Sequence, residues 1–152
     1  MKVSEIMMVP PQTCPLETHL ESVSRRMRET GCGSLVVLGP TGRVAGIVTE
    51  RDVALAVGAT DDAARLSVDR VMSPEVHACR PEEHVDDALR RMARFHVGRL
   101  AVVDETDDVK GVLSIEDIVL WAGGTPGVSM HALIAALRTI YSRTRQIDTT
   151  AR

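Results

Sequence analysis

The sequence matches itself. Displaced by 65 positions, residues 3–58 fall on residues 68–123 without a gap. Met7 meets Met72, Cys14 meets Cys79, and Arg25-Arg26-Met27 meets Arg90-Arg91-Met92. Gly33 meets Gly98, Val44 meets Val109, Gly46 meets Gly111, Asp52 meets Asp117 and Leu55 meets Leu120. An ungapped register this long makes the chain two homologous units, and a fold assigned without it would be wrong. The repeats read as 1–62 and 63–124, followed by a tail over 125–152.

Each repeat carries the same signals. An opening segment (Val3 to Met7, Val68 to Met72) leads to a short irregular strand at Thr13-Cys14 or Ala78-Cys79. A helix follows, with Leu20, Val23 and Met27 apolar in the first repeat. Val85, Ala88, Leu89 and Met92 stand at i, i+3, i+4, i+7 in the second. Thr18-His19-Leu20-Glu21 has capping-box spacing, and Gly31 and Gly33 end the first helix. Leu35 to Leu38 and Val44 to Val48 then read as strands around a Gly39-Pro40-Thr41-Gly42 turn, as do Leu100 to Val103 and Val109 to Leu113 around an acidic turn. Their near-continuous aliphatics suit a sheet covered on both faces.

A last helix closes each repeat. Val53-Ala54-Leu55-Ala56-Val57 and Ile118-Val119-Leu120-Trp121-Ala122 are apolar all round, which predicts burial on more than one side. That points to a homodimer. After a Gly123-Gly124-Thr125-Pro126-Gly127 hinge, Leu133, Ile134, Leu137, Ile140 and Tyr141 predict an amphipathic helix of about four turns, with Arg138, Arg143 and Arg145 on other faces.

Composition narrows the function. Of 152 residues 44% are apolar, but only Phe95, Trp121 and Tyr141 are aromatic, so the core is aliphatic. A net charge of −3 and scarce aromatic faces argue against nucleic acid and anionic membrane as partners. Three cysteines without a C-x-x-C pair, no signal-peptide pattern and no long apolar run predict a cytoplasmic protein.

The chemistry-bearing residues lie where the last strand meets the last helix. Gly46-Ile47-Val48-Thr49-Glu50-Arg51-Asp52 recurs as Gly111-Val112-Leu113-Ser114-Ile115-Glu116-Asp117. Thr49-x-x-Asp52 and Ser114-x-x-Asp117 are capping patterns, and most such patterns do no more than start a helix. Two features add to that. A glycine three residues before each hydroxyl marks a close approach. A helix N-terminus with a hydroxyl and a carboxylate also suits a phosphate and a ribose diol.

These blocks, with the preceding Gly33-Ser34-Leu35-Val36-Val37 and Gly98-Arg99-Leu100-Ala101-Val102 and the openings Ser4-Glu5-Ile6-Met7 and Asp69-Arg70-Val71-Met72, resemble a tandem pair of CBS (cystathionine β-synthase) domains over about residues 3–123. The resemblance implies a mixed α+β fold of two β-α-β-β-α repeats packed about a pseudo-twofold axis, pairing into dimers. It implies that an adenosine derivative (AMP, ADP, ATP or S-adenosylmethionine) binds in the clefts between repeats, with no cofactor required. Carried over, Asp52 and Asp117 hold ribose and Thr49 and Ser114 lie near phosphate. Gly46, Ile47, Val48 and Gly111, Val112, Leu113 flank them.

The two corners differ. Arg51 in the first is replaced by Glu116 in the second, and Arg99 stands where the first repeat has Ser34. Either arginine would favour a phosphorylated ligand. His19 and His84 begin the first helices, where a structural role is expected, and His96 precedes Arg99. His77 and Cys79 gather no further ligands for a metal, and no nucleophile–base–orienter set exists. The expectation is a non-enzymatic regulatory module that binds an adenosine derivative and signals to an unidentified client protein. A ligand-free dimerisation and interaction scaffold is the alternative.

Overall fold

The computed structural model describes residues 1–122 and 127–142. It divides into two compact units, each a three-stranded sheet with helices. The unit built on the first repeat spans Pro10–Val76 with Glu105–Val109. Its strands are β1 (Thr13–Pro15), β2 (Ser34–Leu38) and β3 (Val44–Thr49), its helices α1 (Leu20–Thr30) and α2 (Glu50–Ala59). The sheet order is β1-β2-β3. β1 runs parallel to β2 with Cys14 opposite Val37, and β2 runs antiparallel to β3 with Ser34 opposite Thr49. Its buried residues include Leu20, Val23, Met27, Leu35, Val36, Val37 and Val48.

The unit built on the second repeat spans Met1–Val9, His77–Asp104 and the chain from Lys110 onward. Its strands are β4 (Ala78–Cys79), β5 (Arg99–Val103) and β6 (Val109–Ser114), ordered β4-β5-β6. Its helices are α3 (Val85–Phe95), α4 (Ile115–Ala122) and the tail helix α5 (Met130–Ser142). One apolar cluster joins Val3 and Ile6 from the chain start to Leu89 and Met92 of α3, Leu100 and Val102 of β5, and Leu133, Ala136 and Ile140 of α5.

The opening segments sit in crossed positions. Met8 bridges Val112 of β6, and Ser73, after the second repeat's opening, bridges Ile47 of β3. Each repeat's opening therefore makes an isolated bridge to the edge strand in the unit that carries the other repeat's strands.

Three expectations are corrected in detail. Thr18 does not cap α1: His19 is the N-cap, without a side-chain cap bond. Gly31, left-handed at φ 67°, ends α1, so Gly33 is not needed to stop it. The buried face of α5 is Leu133, Ala136 and Ile140, while Ile134 and Tyr141 stay exposed. At about 100° per residue, Leu133, Ala136, Leu137 and Ile140 share one stripe, with Ile134 and Tyr141 on its flank. The expected hinge residues 123–126 and Arg143 and Arg145 lie outside the described residues; Arg138 is exposed.

The last helices are less enclosed within one chain than their apolar sequences suggest. Leu55 is 63% exposed and Leu120 81%, and Val57, Val119 and Trp121 are also exposed. Among the described residues, no helix is long and apolar enough to cross a membrane.

Candidate ligand site

Both strand-to-helix corners form, with the same geometry. Thr49 is the N-cap of α2. Its backbone N–H donates to Asp52 Oδ2 at 2.8 Å and its hydroxyl donates to the same oxygen at 2.7 Å. Asp52 N–H returns a longer bond to Thr49 Oγ1, at 3.4 Å. In the second corner Ser114 N–H and Oγ reach Asp117 Oδ2 at 3.0 and 2.6 Å, and Asp117 N–H reaches Ser114 Oγ at 3.1 Å. These are reciprocal capping boxes, each satisfying first-turn donors that a helix leaves open.

The chain just before the middle strand closes each corner from behind. Glu50 N–H donates to Gly33 O at 3.2 Å, and Ile115 N–H donates to Gly98 O at 2.8 Å. The second donor of each helix, the N–H of Arg51 or of Glu116, has no hydrogen-bond partner among the described residues. Each box also uses only one carboxylate oxygen. Oδ1 of Asp52 and of Asp117 accepts no bond from a described residue. Both aspartates are half-buried and Ser114 is buried, so these corners are set back from open solvent.

The flanking residues divide by face. Gly46, Val48, Gly111, Val112 and Leu113 are buried; Ile47 is half-buried. The close approach expected at the glycines is made by the chain itself. A Cβ on Gly46 would collide with the Met72 thioether and stand 3.0 Å from Ser73 O; one on Gly111 would lie 2.9 Å from both Met7 Sδ and Met8 O. Sequence reasoning missed these methionines as neighbours of the corners. The signal was present, since Met7 and Met72 are themselves repeat partners.

The arginines are placed differently. Arg99 on β5 pairs with Glu116 of its own repeat at 3.2 Å, which puts it beside the Ser114–Asp117 corner. Arg51 is exposed and has no ion-pair partner among the described residues. Ser34, in the place of Arg99, is buried. The first corner thus carries an unengaged guanidinium and the second one held by a carboxylate.

The other candidates have structural settings. His19 and His84 are the N-caps of α1 and α3. His77 stacks on Phe95 with centroids 3.8 Å apart. Cys14, Cys32 and Cys79 are buried free thiols. Burial, aided by Glu83 and opposed by Arg91, pushes Cys79 up to about 12. No group of three metal-ligating side chains forms among the described residues.

Comparison with known proteins identifies the family and the fold. The CBS domain model matches residues 3–59 and again 68–124. Arabinose 5-phosphate isomerase KdsD of Pseudomonas aeruginosa is 33% identical over 122 residues, covering 78% of this chain but 37% of the isomerase. The chain spans little more than a third of that relative's length. Among solved structures, the CBS domain pair of protein MJ0100, in complex with 5′-methylthioadenosine and S-adenosyl-L-methionine, superposes with a TM-score of 0.74. It is 24% identical, with 82% of this chain and 97% of that one covered. A CBS domain protein from Pyrobaculum aerophilum complexed with AMP also gives 0.74, at 21% identity and with 90% and 98% covered. With the family model matched twice in the register of the internal repeat, this chain belongs to the CBS-domain proteins as a tandem pair.

Proposed function

We propose that this chain is a regulatory module that binds an adenosine derivative at its two corners and passes the bound state to a partner protein. The observation that carries this is the unused half of each cap. A helix start is complete once Oδ2 is engaged, yet each corner also keeps a second carboxylate oxygen and one main-chain N–H without partners, three residues apart or less. A ribose diol donates to a carboxylate oxygen, as in dinucleotide folds, and a phosphate accepts from a helix N-terminal N–H. The adenosine ligands named for two solved relatives support the same chemistry.

The unequal arginines assign a preference. Arg51 is free to turn onto a phosphate, whereas Arg99 must first leave Glu116. The first corner therefore favours AMP-like ligands. The second favours adenosine derivatives with an uncharged or cationic 5′ substituent, such as 5′-methylthioadenosine or S-adenosylmethionine. The corners hold a ligand and perform no reaction on it. The exposed faces of α2 and α4 pair two chains into a homodimer, and the client is a separate protein.

Thermal unfolding with AMP, ADP, ATP, S-adenosylmethionine and 5′-methylthioadenosine tests the reading. A ligand at 100 times its Kd stabilises by about 2.7 kcal/mol, which raises Tm by about 5–10 °C for a chain of this size. No shift with any of the five at millimolar concentration would favour a ligand-free scaffold.

A further inference from the structure

Helix α5 carries two apolar seams and buries one of them. Leu133, Ala136 and Ile140 lie in the cluster that holds Leu89 and Met92 of α3, so the helix is built into its unit. Their spacing of three and four residues is that of a seam packed by another helix. The second seam is Met130, Ile134, Leu137 and Tyr141, spaced four, three and four. Met130, Ile134 and Tyr141 are each about half exposed, and Leu137 is partly buried at the edge between the two seams. At about 100° per residue the four fall within about 60° of arc, along about three turns. Single exposed apolar residues are ordinary, but a continuous stripe marks a contact surface. Alternation of four and three is the pattern that admits the knobs of a facing helix. Because the buried seam fixes α5, the exposed one is presented already ordered, which lowers the cost of binding.

Charge says what kind of helix fits. The basic residues of α5, His131 and Arg138, are exposed. Both fall on one flank of the exposed seam, about a quarter turn from its centre; the α3 seam lies on the other side. Arg138 has no ion-pair partner among the described residues. Residues 118–147 contain no Asp or Glu, whereas residues 1–117 hold 20 of the chain's 21 acidic residues and 14 of its 18 Lys and Arg. Flanking charges set partner choice in paired helices. A second copy of α5 brings no acidic residue to meet Arg138. An anionic bilayer would, but the net acidic remainder of the chain opposes approach to one. An acidic helix from another protein satisfies both the seam and its flank.

We propose that the exposed seam of α5 is the docking surface for an acidic amphipathic helix of a partner protein, apolar along one seam and bearing Asp or Glu opposite Arg138 and His131. This gives the client of the preceding section a chemical class, and it rests on that reading only in taking the client to be a separate protein. Nucleotide at the corners is not required for it.

The test is fluorescence anisotropy of a labelled synthetic helix, with Leu at four-three-four spacing and Glu on both flanks, titrated with the full chain in the absence of nucleotide. A second peptide carries Lys in place of each Glu. The wild type should bind the Glu peptide with a Kd of about 1–100 µM, as small transient interfaces do, and at least about tenfold more tightly than the Lys peptide. The Ile134→Ser/Tyr141→Ser variant should lose at least about tenfold in affinity. Arg138→Glu should weaken the Glu peptide about fivefold and tighten the Lys peptide. Arg138 is exposed, so this variant carries the test even if the double variant folds poorly. No binding of the Glu peptide at about 1 mM, equal binding of both peptides, or undiminished binding to the double variant would each overturn the proposal. A dimer that the double variant alone turns into a monomer would assign the seam to a second copy. Tighter binding to phosphatidylglycerol vesicles than to the Glu peptide, lost in the double variant, would assign it to a membrane surface. Either result overturns the proposal as well. Failure here leaves the nucleotide melting test standing, and failure there leaves this one.

Discussion

Asp52 and Asp117 each bind one hydroxyl and one main-chain N–H through a single oxygen. Replacing either by alanine removes the box and should cost about 1 kcal/mol of stability, read as a lower denaturant midpoint with unchanged slope. The glycines before them are crowded by the opening segments. Gly46→Ala meets the Met72 thioether and Ser73 O, and Gly111→Ala meets Met7 and Met8. The carbonyls are fixed by strand bridges, so overpacking should destabilise each variant by about 1–3 kcal/mol; an unchanged midpoint would show that the opening segments yield freely. Cys79 gives an alkaline signature. Its thiol, raised from an ordinary 9.0 to about 12, stays protonated in the fold while the unfolded thiol ionises. The unfolded state then binds fewer protons, so stability falls as pH rises from 9.0 towards 12. Cys79→Ala should flatten that fall in urea melts taken across the same window.

Among the elements, the regular ones were legible and the exchanged ones were not. The strands at 34–38, 44–49, 99–103 and 109–114 follow from aliphatic runs between turn residues, and α1 and α3 follow from their helical apolar spacing. The opening segments were placed in the right order, but their crossing was hidden. A bridge from Met8 to Val112 spans more than a hundred residues, and no local periodicity encodes such a partner. The face of α5 was read too broadly because Ile134 and Tyr141 are as apolar as the residues actually buried. The small Ala136 is buried in the core cluster but carries no signal beside large apolar side chains. At the corners, the hydroxyl–aspartate pairs were legible as caps from spacing alone. The Arg99–Glu116 pair needed the fold, which brings the start of β5 beside the first turn of α4.

For the whole molecule, what single-chain structure leaves exposed is as informative as what it buries. Leu55 and Leu120 are repeat partners, and both are among the most exposed large apolar residues. On the proposed account they meet a second copy. Light scattering should then give a dimer for the wild type at micromolar concentration and a monomer for the Leu55→Asp/Leu120→Asp double variant. A wild-type monomer would contradict the pairing. The central claim remains that two corners of one design hold an adenosine derivative through their aspartates. The most direct measurement is a calorimetric titration of AMP and of S-adenosylmethionine into the wild type, Asp52→Ala, Asp117→Ala and the double variant. The account predicts that Asp52→Ala mainly weakens AMP, that Asp117→Ala mainly weakens S-adenosylmethionine, and that the folded double variant binds neither. Undiminished binding of either ligand to the double variant would contradict it.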